Sequence, residues 1–146
     1  MGRPEFHELE HTADWALQIK AATLSQLFHN AALGMLELMG VTLMGVSLMG
    51  VKLAGERDLD RQIEIEAFDL EELLVAWLEE LLYGVEMRSV GIANLNVAVE
   101  ENSRLIATFV EVPIQSIEKE IKAVTFHALE VKETSAGVEA TVVFDV

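Results

Sequence analysis

The chain has no cysteine in its 146 residues. That absence excludes a disulfide framework, a thiolate nucleophile and a zinc-finger ligand pattern. Basic residues are scarce: 10 Lys and Arg stand against 25 Asp and Glu, a formal net charge of −15. Phosphate backbones are held by clustered Lys and Arg, so direct nucleic-acid binding is not expected as a main activity. The same field either attracts divalent cations and basic protein surfaces or only confers solubility. No apolar run reaches the roughly 18 residues of a membrane span, and the N-terminus is neither Arg-rich nor signal-like. The expected compartment is the cytoplasm. Proline occurs twice, and no linker-like Pro, Gly or Ser stretch divides the chain. A single domain over 1–146 is expected, long enough to bury a sizeable core.

Several common site motifs are also missing. There is no GxxxxGK[ST] or GxGxxG phosphate loop, no GxSxG elbow and no HExxH pair. His7, His11, His29 and His127 are far apart in sequence. His127 has three readings: a general base, a hydrogen-bonding support for another group, or a satisfied core histidine.

The remaining pattern is that of a layered α+β protein. Segments 5–9 and 15–20 alternate as two strands around the turn His11-Thr12-Ala13-Asp14. Thr23-Leu24-Ser25-Gln26 forms a capping-box signature, and the apolar spacing from Leu24 to Met39 predicts a helix over about 24–39. A strand follows at Ile63, Ile65 and Ala67. Asp69-Leu70-Glu71-Glu72 then opens a second helix over about 70–86, with Leu70, Leu73, Leu74, Trp77, Leu78, Leu81 and Leu82 on one stripe. The Glu-rich remainder of that helix reads as a solvated face. Strands are expected over about 92–99 and 104–111, and a hairpin joins 129–133 to 138–146 around Ser135-Ala136-Gly137. Residues 116–125 fit either a short helix or a strand. In sum, two main helices and about seven strands predict a two-layer domain, its helices packed on a largely antiparallel or mixed sheet.

Residues 38–52 hold three tandem copies of Leu-Met-Gly-Val plus one polar residue: Thr42, Ser47 and Lys52. A period of five matches neither helix nor strand. The expectation is an expanded apolar loop at about 40–55, which is either an inert insertion or a docking surface.

Acidic residues also stand beside strand-like runs at both ends, at Asp14 and at Asp145. If the fold brings these ends together, Asp14, Asp145 and the carboxylate of Val146 offer hard oxygen donors suited to Ca²⁺ or Mg²⁺. The plain alternative is that Asp14 closes a turn and Asp145 is a solvated end residue.

Glu10-His11-Thr12-Ala13-Asp14, Asn30-Ala31-Ala32-Leu33-Gly34 and Asp69-Leu70-Glu71-Glu72-Leu73-Leu74 resemble, in order, the archease family. So do Glu120-Ile121-Lys122-Ala123-Val124-Thr125-Phe126-His127 and the closing Val143-Phe144-Asp145-Val146. The resemblance implies a small protein that activates an RtcB-type RNA ligase and is not itself a catalyst. Such a protein promotes guanylylation of the ligase's own histidine and its repeated turnover in tRNA splicing and RNA repair. The resemblance places a divalent-cation site at Asp14, Asp145 and Val146, with an acidic residue among Glu56, Asp58 and Asp60 as a further candidate. It marks His11, Lys122 and His127 as residues that support the site or touch the partner. The apolar repeats depart from the charged loop usual in the family. A chaperone-like scaffold that binds its partner through the repeats is the alternative. A small acid–base enzyme using His127 with Asp14 or Asp145 is a third reading.

Overall fold

The computed structural model describes residues 5–10, 14–45 and 59–146. In chain order these form β1 (Phe6–Glu10), β2 (Asp14–Ala21), α1 (Leu24–Leu38), β3 (Thr42–Leu43), β4 (Leu59–Glu66) and α2 (Leu70–Arg88). They continue as β5 (Val90–Glu100), β6 (Arg104–Ser116), β7 (Ala123–Thr125), β8 (Lys132–Thr134) and β9 (Gly137–Asp145). All strand pairings among the described residues are antiparallel.

Two sheets result. The first runs β1-β2-β9-β7, with β8 also on β9. In the second, β6 pairs with β5 along one edge and with β4 and then β3 along the other. Both helices pack against both sheets. The alternation in β2 sends Leu17 and Ile19 into the shared core, opposite Val142 and Ala140 of β9.

The helix starts follow from local chemistry. The Thr23 side chain accepts a hydrogen bond from the backbone N–H of Gln26 at 3.2 Å. Asp69 does the same for Glu72 at 2.8 Å, and Glu71 and Glu72 complement the positive end of the helix. Replacing Asp69 by Ala orphans that N–H and should cost about 1 kcal/mol in urea unfolding. An unchanged midpoint would show that water replaces the cap without loss. Leu73, Leu74, Trp77 and Leu78 of α2 are fully buried, as the apolar stripe predicts. Trp77 Nε1 donates to the carbonyl of Phe28 at 3.0 Å, tying α2 to α1.

Three expectations are refined. The ambiguous 116–125 segment contains no helix; Ala123–Thr125 is a strand because β9 offers it an edge. The repeat region is not wholly a loop, since Thr42 and Leu43 of its first two copies pair with Ser116 and Ile114. Gly91 permits this, because a Cβ there would lie 2.6 Å from Leu43 Cδ2. The rest of the repeat region falls within residues 46–58, outside the described residues. The strand count rises accordingly from about seven to nine among the described residues.

An ion cluster that periodicity does not reveal fastens α2 to the second sheet. Glu111 of β6 is buried on the core side. It accepts from Arg88 at 2.9 Å through one oxygen and from Arg61 at 3.5 Å through the other. The hydrogen bond to Glu111 is the largest influence raising the Arg88 pKa above its ordinary value. Both arginines keep a path to water, so Glu111→Ala should cost about 1–3 kcal/mol, short of the penalty for stranding a buried charge. Thermal or urea unfolding checks this, and a stabilised variant would mean that burial of Glu111 outweighs its pairing.

Candidate functional site

β9 lies between β2 and β7, so its last residue has neighbours on two sides. Asp145 is the direct register partner of Asp14 on β2 and of Ala123 on β7. Directly opposed residues in an antiparallel pair share a face, with Cβ atoms about 5 Å apart. The next pair, Trp15 with Phe144, packs into or against the core, so Asp14 and Asp145 project from the opposite face. Asp145 is exposed and Asp14 half-buried. Ala123 places only a methyl group beside Asp145 and leaves the carboxylate pair open.

The end of β9 is also secured. The backbone N–H of Lys122 donates to the carbonyl of Asp145 at 2.8 Å. Val146 is half-buried and packs against the core. The ammonium of Lys119 sits 4.5 Å from the centroid of Trp15, next to Asp14. A strand end that would fray if free is thus held by backbone pairing and by packing.

Of the sequence-predicted residues, the fold brings Asp14, Asp145, Val146 and Lys122 to one sheet end. Lys122 arrives through its backbone, and its side chain is exposed. His127 is also exposed. It lies two residues beyond β7, in the direction that leads away from Asp145, and its N–H donates to Thr125 Oγ1 at 3.2 Å. Asp60 is exposed on β4 of the other sheet. His11, Glu56 and Asp58 lie outside the described residues.

The donor chemistry fits a hard divalent cation: two carboxylates share one accessible face, and the next residue adds oxygen. No cluster of three or more His, Cys, Asp or Glu side chains able to hold a metal occurs among the described residues. Sequence reasoning missed Ala123 and the Lys119–Trp15 contact. Neither leaves a periodic signal, because each depends on strands that meet only in the folded chain.

Fold and site together define a class: small two-sheet α+β proteins with an accessible carboxylate pair where two sheet strands meet. The archease protein family model matches residues 6–146. The protein archease of Methanosarcina barkeri is 35% identical over 150 residues, covering 97% of this chain and 96% of the relative. That of Archaeoglobus fulgidus is 30% identical over 146 residues, covering 97% and 99%. A Methanobacterium thermoautotrophicum protein, solved in solution, is similar with a TM-score of 0.66 at 27% identity, covering 97% and 98%. The crystal structure of an archease from Thermotoga maritima, described as a possible chaperone, has a TM-score of 0.66 at 22% identity. It covers 100% of this chain and 98% of that one, and shows the shared fold. This chain belongs to the archease family. No helix among the described residues is long and apolar enough to cross a membrane.

Proposed function

We propose that this protein activates an RtcB-type RNA ligase in the cytoplasm, promoting guanylylation of the ligase histidine and its repeated turnover. Asp14, Asp145 and Val146 hold a divalent cation, Ca²⁺ or Mg²⁺, in this reading. One observation carries the site: Asp14 and Asp145 are direct register partners on an accessible sheet end. Family membership supports the choice of partner.

The chain's own residues contribute position and charge. Pairing of β9 with both β2 and β7 presents two carboxyl groups at a fixed spacing, so little ordering cost remains when a partner approaches. A cation held there supplies positive charge for phosphate oxygens. The net charge of −15 favours approach to the basic cleft of an enzyme that handles RNA and GTP. It disfavours direct contact with the RNA. Catalysis stays with the ligase, and this protein acts as its activator.

The test is single-turnover guanylylation of a matching ligase with and without this protein. A faster guanylylation step with the wild-type protein supports the reading. An unchanged rate at saturating protein, with binding confirmed, overturns it in favour of a scaffold.

A further inference from the structure

The solvent face of α2 carries more than the solvating charges its sequence predicts. Tyr83 is 53% exposed and Met87 is 64% exposed. Of the large apolar side chains exposed among the described residues, these are the two that share one helix. Their separation of four residues places them on adjacent turns, with Cβ atoms about 6 Å apart. Glu79, Glu80 and Glu86 surround them and are exposed.

The charge of this face is only partly balanced, since Glu79, Glu80 and Glu86 share a single arginine of the helix, whose pKa Glu80 helps to raise. Arg88 is the one basic residue of α2, and its guanidinium is engaged by Glu111 at 2.9 Å. That engagement also places Arg88 5.7 Å from the Tyr83 ring centroid, which steadies the ring. An aromatic ring ordered before contact loses less entropy on binding. Tyr and Met at the centre with charge at the rim is the anatomy of a protein–protein interface.

The face lies towards the same end of the domain as the carboxylate pair. Ser89, which caps α2, accepts from the N–H of Ile114 near the end of β6. The chain leaving β6 donates from Glu118 and Lys119 to the carbonyl of Met39, and Lys119 then covers Trp15 beside Asp14.

We propose that this face of α2 docks a Lys- and Arg-rich surface of the activated ligase, with Tyr83 and Met87 as the apolar anchor. The assignment rests on the ligase reading above and adds the surface by which the two proteins meet. Negative charge at the rim selects a basic partner and speeds encounter, while the anchor sets the lifetime of the complex.

The experiment is titration of the purified ligase with this protein at low and high salt, followed by guanylylation at saturating protein. Tyr83→Ser with Met87→Ser should weaken binding by about tenfold or more. Glu79→Lys with Glu80→Lys should weaken it and flatten its salt dependence. Both pairs should regain full stimulation once enough protein is added, which an Asp14→Ala variant should not. Met87→Ser alone replaces one exposed side chain and should show a smaller loss in a domain that unfolds as wild type does. Wild-type affinity in all these variants overturns the docking face and leaves the activator reading standing. Absence of any binding by the wild-type protein overturns both.

Discussion

Asp14→Ala and Asp145→Ala are each expected to hold the ligase at its unstimulated guanylylation rate while leaving this protein folded. The expectation follows from register. The two residues face each other across β2 and β9, on the side away from the core. Truncating an outward side chain at an accessible sheet end changes stability by no more than about 0.5–1 kcal/mol. Backbone pairing is untouched, because the β2–β9 ladder that sets Asp14 opposite Asp145 does not depend on their side chains. In the proposed site, what is lost is one of two charged donors, and cation affinity depends on their number. Calorimetric titration with Ca²⁺ should show affinity falling at least about tenfold in either variant. Asp145→Asn separates charge from shape: the amide fills the same space without the negative charge, and stimulation should fail as in the alanine variant. Normal stimulation by both alanine variants would remove the carboxylate pair from the function.

Trp77→Ala should produce the largest change in stability. Trp77 is fully buried, tilted against Phe109 at a ring separation of 6.3 Å, and hydrogen-bonded to Phe28. Large-to-small replacement of a buried aromatic costs about 3–5 kcal/mol, since lost transfer free energy is joined by an unfilled cavity. That is a large share of the roughly 5–15 kcal/mol that holds a typical domain together. Trp77→Phe keeps most of the volume and loses the N–H donor, so its cost should be nearer 1 kcal/mol. Urea unfolding separates the two. A loss below about 1.5 kcal/mol for Trp77→Ala would mean that the helices close over the gap.

The helices were readable because their signals are local. The stripe from Leu70 to Leu82 repeats at helical spacing, and Asp69 and Thr23 cap through residues three positions away. α2 begins at Leu70 as expected and runs to Arg88. The β2 alternation was equally plain, since a strand with one buried face must repeat every second residue. The Glu111 cluster was not readable: its arginines lie 23 and 50 residues away, and burial of Glu111 follows from β6 running beneath α2. The role of Thr42 and Leu43 was hidden by a repeat whose period matches no regular structure, and the end of β6 supplied them an edge.

The same division holds at the candidate site. By itself the sequence determined the acidic character of the chain, the two helices, the strand patterns and the motif residues that mark its family. These depend on residue type and on neighbours within a few positions. Only the tertiary structure decided that residue 14 and residue 145 are register partners, that Ala123 leaves their face open, and that His127 sits further along and away. Strand pairing joins residues distant in the chain, and a shift of one position would turn every side chain to the other face. The buried row of Leu17, Ile19, Ala140 and Val142 forbids that shift, so core packing is what places the two carboxylates side by side.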